Sequence, residues 1–315
     1  YYCNITVTSI VIDYCILGMC SVAGKKSLGR IITSTSRCIF NNLAYEEHLL
    51  RTHDPETNGD VMLLWSNRPA VVVGRHQNPW AEINVREAEA RGVAIVRRHS
   101  GGGTVYHDEG NLNISILTTQ KAHCRKKNLQ FIADAINARF TLKVVPTARD
   151  DLEMQPGSRK TSGTAARIAR GRAYHHMTML VRVDLDGLRD ILHSDVQERV
   201  VSTATRSVRA PAVGYLGQDD ATISVPALRD TIAAAYRSQF EETIEHDEDV
   251  DRCASEVDGV RTAVDELTSW EWIWGRTPPF KIRSTSGEIS VKSGKIIASP
   301  REDTVGRPLS LDLID

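Results

Sequence analysis

Three consecutive glycines with two arginines before them form the part of the chain best suited to do chemistry. Glycines 101–103 follow the apolar run 92–96, which predicts a buried strand, so a turn without side chains opens directly off a sheet. Glycine adopts positive φ angles easily and can aim several peptide N–H groups into one concavity, which suits a phosphate or a carboxylate. Arg97 and Arg98 are expected at the rim of that concavity, where guanidinium groups bind phosphate oxygens. Taken alone, the same pattern also fits a glycine-rich hairpin with solvated arginines.

Lys160 is the second residue that could take part in a reaction. Residues 155–158 (Gln-Pro-Gly-Ser) place Pro at the second position and Gly at the third, as a type II turn requires. An ammonium group just past this turn can reach a carbonyl or phosphate held by the glycine turn. A lysine beside a turn is by itself usually a solvated charge. Its neighbours favour a functional role, since Arg149 and two aspartates precede it and Tyr-His-His-Met-Thr follows at 174–178.

Histidine and cysteine residues offer weaker candidates. His175 and His176 are adjacent on a predicted strand and point to opposite faces, so we expect no shared metal ion. No histidine or acid is placed by a recognisable motif to activate Cys124, so we interpret this cysteine as structural rather than as a thioester nucleophile. The six cysteines contain no Cys-x-x-Cys spacing, which argues against a disulfide framework or structural zinc and favours a reducing compartment.

The composition is that of a soluble globular enzyme with one large domain and one small one. The chain has 315 residues, a net charge of -1 and 41% hydrophobic residues, so bulk nucleic-acid binding is not expected. Residues 1–36 differ from the rest, because an apolar stretch at 5–22 is followed by Lys25, Lys26 and Arg30. A membrane span is disfavoured by Asp13, and a secretory signal would carry its positive charges first. We interpret residues 1–36 as a mitochondrial targeting leader.

The elements that must position these residues alternate between hairpins and helices. Regular strand-helix-strand alternation is absent, which predicts an α+β fold with a mixed or antiparallel sheet. In the strand 112–118, Leu112, Ile114 and Ile116 share one face, and Asn113 and Ser115 share the other, where polar side chains can line a site. The predicted elements are a helix at 38–52 capped by Asn41 or Asn42, strands at 61–65, 70–73, 104–107 and 177–183, helices at 83–91 (closed by Gly92), 128–140 and 225–240, and a solvated acidic linker at 241–251.

Several segments occur in the order of a known family. They are residues 73–80 (Val-Gly-Arg-His-Gln-Asn-Pro-Trp), 97–111, 160–165, 174–178 and 270–278. Together they resemble the lipoate-protein ligase and lipoyltransferase family over about residues 37–280, with the nearest likeness to the animal mitochondrial lipoyltransferases. The resemblance implies a biotin/lipoate protein ligase-like catalytic domain at 37–255. The family's ligases usually carry a larger accessory domain after it, so we expect residues 256–315 to form a truncated one. Within this tail, 288–291 and 295–298 can form a small hairpin around Ser293-Gly294.

The same resemblance implies a set of site residues. Lys160 matches the family's central catalytic lysine, and the match at Thr205 is loose. Val73, Tyr106 and the apolar face of 112–117 are the expected walls of a tunnel for the acyl tail. The residues expected to contact lipoyl-AMP are Arg98, Gly101, Gly102, Gly103, Thr104, Val105, Tyr106, Arg149, Lys160, Thr178 and Thr205.

The implied activity is transfer of a lipoyl group from lipoyl-AMP, or from another acyl carrier, to one lysine of a lipoyl domain. The expected partners are the lipoyl domains of 2-oxoacid dehydrogenase acyltransferase subunits and the glycine-cleavage H protein, in the mitochondrial matrix. An acyl-adenylate is already activated and the acceptor lysine is the nucleophile, so the enzyme needs no Ser or Cys nucleophile. No metal, nucleic-acid partner or membrane is expected. ATP and Mg²⁺ belong to an alternative, a two-step lipoate-protein ligase, which the 36 residues after Pro279 make less favoured. A non-catalytic lipoyl-domain-binding protein is a further alternative.

Overall fold

The computed structural model describes residues 26–314. The apolar stretch 5–22, which carries most of the predicted leader, lies outside the described residues. Within residues 26–314, none of the helices has the length and apolar character needed to cross a membrane.

Groups of consecutive strands are separated by helices along the chain. The strands are β1 Lys26–Ser34, β2 Asp60–Trp65, β3 Ala70–Val73, β4 Ala94–Arg97, β5 Val105–His107, β6 Asn111–Thr119, β7 Val144–Pro146, β8 Leu152–Met154, β9 Arg159–Lys160, β10 Ser162–Ala169, β11 Arg172–Leu180, β12 Val200–Ser202, β13 Phe240–Glu248, β14 Phe280–Ser284, β15 Gly287–Lys292 and β16 Lys295–Ala298. The helices are α1 Ile39–Thr52, α2 Pro55–Asn58, α3 Pro79–Glu82, α4 Val85–Ala90, α5 Arg125–Arg139, α6 Leu185–Ile191, α7 Val225–Arg237, α8 Val250–Glu256 and α9 Asp258–Thr268.

A six-stranded mixed sheet forms the centre of the fold. Its order is β10-β11-β6-β2-β1-β13, with β1 parallel to both neighbours and the other pairs antiparallel. Successive side chains of β2 point to opposite faces of the sheet, so this strand contributes to a hydrophobic core on each face. Met62 and Leu64 pack toward α5 and α7, whereas Leu63 and Trp65 pack toward α1, α8 and α9. The predicted α+β class with a mixed sheet is confirmed.

Smaller sheets carry the candidate residues. The glycine turn joins β4 to β5 in the sheet β4-β3-β5, and Lys160 ends β9 in the sheet β7-β8-β9. The predicted C-terminal hairpin is confirmed as β15 and β16, but it belongs to a four-stranded sheet, β12-β14-β15-β16. Since β12 comes from inside the predicted catalytic domain, the accessory part is not built from residues 256–315 alone.

Two predictions at the edge of the central sheet are wrong. Residues 26–34, assigned to the leader, form an inner strand in which Ile31 and Ile32 are buried, so the folded domain starts ahead of residue 37. The acidic segment 241–251 is not a linker, because Phe240–Glu248 pairs in parallel with β1 over its whole length. Its charged side chains are exposed, as is common for edge strands that must not pair with other chains.

Helix boundaries also differ from the predictions. The predicted helix 83–91 is the shorter α4, because Asn84 accepts a hydrogen bond from Glu87 N and caps it. The N-cap of α1 is Cys38, whereas Asn42 is buried and bonds to Asn67. In the predicted type II turn, Gly157 has the positive φ, +99°, that its third position requires.

Candidate active site

The glycine turn and Lys160 line one cavity of about 2020 Å³, including the part open to solvent. Nine of the eleven predicted contact residues line this cavity, although they come from five separate segments of the chain. They are Gly102, Gly103, Thr104, Val105, Tyr106, Arg149, Lys160, Thr178 and Thr205. Gly101 and Arg98 are not among its lining residues. The folded chain therefore brings together most of the residues that the sequence proposed.

Gly102 in the glycine turn and Gly74 beside it are each held in a way that disfavours a side chain. Gly102 has φ +88°, and a Cβ atom on it would lie 2.9 Å from the guanidinium of Arg98. A Cβ atom on Gly74 would lie 2.0 Å from the carbonyl oxygen of Gly102. Gly102 is therefore required by its conformation, and Gly74 by the close approach of the Gly102 backbone.

Arg97 is not at the rim of the cavity, and this prediction is wrong. The side chain is fully buried and donates to the carbonyl oxygens of Gly74, Arg75 and Gln77 on one side. On the other side it donates to the carbonyls of residues 272 and 273 and to the hydroxyl of residue 277. Burial lowers the pKa of Arg97 to about 10, with a smaller effect from the charge of Arg276. Arg97 therefore joins the loop after β3 to the segment after α9.

Arg98 is also turned inward, so the prediction of a cation at the rim is wrong for it as well. Its guanidinium donates to the carbonyl oxygens of Val72 at 3.0 Å and Gly103 at 2.7 Å, and to Ser100 Oγ at 2.9 Å. Burial is the main reason why the pKa of Arg98 falls to about 10. Arg98 holds the glycine turn by its carbonyls, and its predicted contact with an adenylate stays a prediction.

A buried chain of hydrogen bonds supports the glycine turn on its inner side. His176 lies between Glu46 and Ser100, with Nδ1 3.0 Å from the Glu46 carboxylate and Nε2 2.9 Å from Ser100 Oγ. Since a carboxylate only accepts, His176 Nδ1 carries a proton and donates to Glu46. His175 points to the opposite face, toward Asn128, and burial lowers its pKa to about 3. The described residues contain no group of three or more metal-ligating side chains.

Lys160 is held in a defined position at the cavity wall. Its Nζ atom lies 2.7 Å from Asp151 Oδ2, and its side chain is 25% exposed. The backbone N–H of Lys160 donates to Ala212 O, and its carbonyl accepts from Gly214 N, both at 3.0 Å. The segment 212–214 thus pairs with the edge of β9 that does not face β8. Thr178, nearby on β11, accepts a hydrogen bond from Gly163 N at 2.9 Å.

The sequence analysis missed most of the segment 203–213, which covers the glycine turn. Ser207 Oγ accepts from Thr104 N at 2.8 Å and from Gln77 Nε2 at 3.0 Å. The buried carboxylate of Glu82 in turn accepts from Ser207 N and from Arg206 Nε. Proximity to Thr205 was the sequence signal for this segment. The missed lining residues include Arg125, Arg189, His193, Arg206, Ser207 and Arg209.

A narrow pocket continues from the cavity between β2, β3 and β11, and its volume is about 370 Å³, including the part open to solvent. The two spaces share Val105, Gly163, Thr164 and Thr178 as lining residues, so they adjoin. The remaining walls are mostly apolar or aromatic. They are Leu43, Trp65, Val72, Arg98, His107, Asn113, Ala165, His176 and Met177.

The walls of this pocket differ from those predicted for the tunnel. Val73 is buried without lining it, and Tyr106 lines the wide cavity instead. Leu112, Ile114 and Ile116 pack into the core beneath α5 and α7, because their face of β6 is turned away from the pocket. Asn113, on the polar face of β6, lines the pocket as that face was expected to do.

A wide cavity with glycines and an ammonium group on its wall suits an anionic head group, and the adjoining narrow pocket suits an apolar tail. The fold and the site together define an enzyme whose ligand combines these two parts.

Comparison with known proteins gives the family. The lipoyl protein ligase A/B catalytic domain matches residues 38–237. The mitochondrial lipoyl amidotransferase LIPT1 of Mus musculus is 38% identical over 260 residues, which cover 82% of this chain and 68% of that protein. The chain belongs to the lipoyl protein ligase A/B catalytic-domain family and is an acyltransferase.

Solved structures with similar folds agree with this assignment. LipL1 of P. falciparum, solved in complex with lipoate, has a TM-score of 0.68 at 21% identity, covering 86% of this chain and 83% of its own. A bipartite lipoate protein ligase from Thermoplasma acidophilum has a TM-score of 0.62 at 20% identity, covering 78% of this chain and 96% of its own. The predicted biotin/lipoate protein ligase-like catalytic domain is confirmed.

Proposed function

We propose that this acyltransferase moves a lipoyl group from lipoyl-AMP, or from another acyl carrier, to the acceptor lysine of a lipoyl domain. One observation carries the proposal: the glycine turn and Lys160 converge on a cavity that continues into a narrow apolar pocket. The adenylate occupies the wide cavity, and the acyl chain enters the narrow pocket. The carbonyl carbon then lies near Gly163, Thr164 and Thr178, where the two spaces meet.

The reaction needs no nucleophile from the enzyme. The neutral amine of the acceptor lysine attacks the carbonyl carbon, a C–N bond forms, and the C–O bond to the phosphate breaks as AMP leaves with the electron pair. The amine loses a proton in the same process. The enzyme must align the amine and stabilise negative charge on the carbonyl oxygen and the departing phosphate. Lys160 supplies that positive charge, and Asp151 fixes its position.

Partners and location follow from the relatives. The relative from Mus musculus is described as mitochondrial, and the one from Thermoplasma acidophilum was studied with its E2 lipoyl domain. By extension, this enzyme acts in the mitochondrial matrix on lipoyl domains of 2-oxoacid dehydrogenase acyltransferase subunits and on the glycine-cleavage H protein. A targeting leader ends ahead of β1, whose residues are part of the sheet.

The test is a transfer reaction read by mass spectrometry of the acceptor. The purified protein is mixed with an apo lipoyl domain or apo H protein and given either lipoyl-AMP or ATP, Mg²⁺ and lipoate. Modification of the acceptor with lipoyl-AMP alone supports the proposal. Modification with ATP and free lipoate, together with pyrophosphate release, favours the two-step ligase. Binding of the acceptor without modification in either mixture favours the non-catalytic alternative.

A further inference from the structure

Arg125, the first residue of α5, places a guanidinium group on the wall of the wide cavity. Its Nη2 atom donates to Thr164 Oγ1 at 2.9 Å, and its Nη1 atom lies 3.3 Å from Asp150 Oδ2. The hydroxyl of Thr164 in turn donates to the carbonyl oxygen of Asp150 at 2.7 Å. Asp150 therefore holds the guanidinium both directly and through Thr164.

The position of Arg125 matches that of a phosphate in a bound adenylate. Thr164 lines both the wide cavity and the narrow pocket, whereas Arg125 lines the wide cavity and not the pocket. The guanidinium thus lies on the wide-cavity side of the junction where the carbonyl carbon is placed, and on that side the phosphate is the next group of the adenylate. A guanidinium carries more N–H donors than these two contacts use, and its planar fork matches phosphate oxygens.

Two adjacent aspartates fix the cations of this wall. Asp150 holds Arg125, and Asp151, the next residue, holds Lys160. Asp150 has φ +59°, a left-handed conformation that is uncommon in residues other than glycine. Strained backbone of this kind is often retained at functional sites. The conformation of one turn therefore sets the positions of both cations in the same cavity.

The placement of Arg125 is unfavourable for the helix itself. The first turn of α5 contains no acidic residue and also carries Lys126 and Lys127, and the side chain of Cys124 does not cap the helix. Positive charges at a helix N-terminus are repelled by the helix dipole. An anion bound at Arg125 relieves this repulsion. A local feature that lowers stability without a compensating contact is typical of a functional site.

We propose that Arg125 binds the phosphate of the acyl-adenylate and stabilises its negative charge as AMP leaves. The inference rests on the proposed function, since it assumes that the adenylate occupies the wide cavity. The phosphate gains negative charge when the C–O bond breaks, so a fixed guanidinium stabilises the transition state more than the bound adenylate. Arg125 keeps its own charge throughout and exchanges no proton. Lys160 and Arg125 share the developing charge.

Calorimetry with two stable analogues tests the phosphate contact without any transfer step. One is the phosphodiester of AMP with lipoyl alcohol, which keeps the negative charge but cannot acylate, and in the other a neutral sulfone replaces the phosphate. We expect Arg125→Met to weaken binding of the charged analogue by about 10-fold or more, the scale of a hydrogen bond to a charged group, and to leave the neutral analogue unchanged. Lys126→Met is the matched control. It removes an exposed charge from the same end of α5, outside the cavity wall, and leaves both affinities unchanged.

Transfer kinetics measure the catalytic part of the inference. The side chain of Arg125 is 35% exposed, so solvent screens it in part. We expect Arg125→Met to slow single-turnover transfer from lipoyl-AMP by about 100-fold, the lower end of the range for a preorganised donor. Thermal unfolding verifies that the variant is folded. If it is not, Arg125→Lys decides the question, because it keeps the charge but loses the fork and should weaken the charged analogue several-fold.

The outcomes separate this inference from the proposed function. Equal losses for the charged and the neutral analogue indicate a merely structural role and overturn the inference. Unchanged binding of the charged analogue, or normal transfer by Arg125→Met, overturns it as well. A loss confined to the charged analogue, in a protein whose wild type transfers to no apo acceptor, leaves the inference standing and refutes the proposed function. Binding of neither analogue by the wild-type protein refutes both.

Discussion

Replacement of Lys160 by alanine tests the central electrostatic argument. The ammonium group lies 2.7 Å from Asp151 and its side chain is one-quarter exposed, so solvent screens it in part. At an effective dielectric constant of about 20, two unit charges 4 Å apart interact by about 4 kcal/mol. Loss of a preorganised donor in other enzymes costs roughly 100-fold to 1000-fold in rate. Because Lys160 is partly screened, we expect Lys160→Ala to slow transfer by about 100-fold, the lower end of this range.

A second substitution, at Asp151, separates the effect of Lys160 on binding from its effect on catalysis. In Lys160→Ala the carboxylate of Asp151 loses its partner and faces the adenylate as a like charge, which raises KM as well as lowering kcat. The double variant with Asp151→Ala removes that repulsion, so we expect KM to recover by roughly 5-fold while kcat stays low. Single-turnover transfer from lipoyl-AMP to an apo lipoyl domain measures both quantities. Near-normal transfer by Lys160→Ala, or a double variant with the same KM as the single one, would refute the reasoning.

Three further predictions concern the surroundings of the site. Arg97→Met leaves six acceptors without their buried donor and should lower the free energy of unfolding by about 3 kcal/mol or more. Urea denaturation measures this against the control Arg229→Met, whose side chain is exposed. Equal denaturation midpoints for the two variants would contradict the prediction. Ser207→Ala removes the acceptor for Thr104 N, so KM for lipoyl-AMP should rise by about 5-fold and hydrogen exchange at 203–213 should quicken; unaltered exchange would count against the role of Ser207. Burial keeps the pKa of His175 near 3 in the folded protein and it is about 6.5 when unfolded, so the unfolded chain binds more protons as pH falls below about 6.5. Stability should therefore drop toward pH 5, by about 2 kcal/mol from this residue, and His175→Leu should show a correspondingly smaller drop between pH 7.5 and 5.

Local patterns in the sequence predicted several strands and the helices α1, α5 and α7. Strands such as β6 and helices such as α5 have apolar residues at the spacing of one buried face, and that spacing is a property of the sequence alone. The strand β13 could not be recognised in this way. It lies at the edge of the sheet, where few of its side chains contact the core. Its sequence is therefore mostly acidic and lacks the apolar alternation that would predict a strand.

The sequence predicted the site residues that belong to local motifs, such as the glycines and Lys160. It did not predict the side-chain directions and contacts that depend on packing between distant segments. Nothing local distinguishes an arginine that faces a ligand from one that holds backbone carbonyls, and Arg97 and Arg98 proved to be of the second kind. The role of Ser207 depends on contacts with Gln77 and Glu82, which lie more than a hundred residues away in the sequence. Such long-range pairs are determined by the fold and leave no local pattern.

The inner position of β1 limits where the chain can be processed. Within residues 26–314, this strand is the one that pairs with β13, and it also covers one edge of β2. A peptidase that cut within Lys26–Ser34 would leave two unsatisfied backbone edges and a detached ribbon, which are sites for aggregation. A cut ahead of Lys26 would leave these backbone pairs intact, whereas a cut inside the strand would yield an insoluble product.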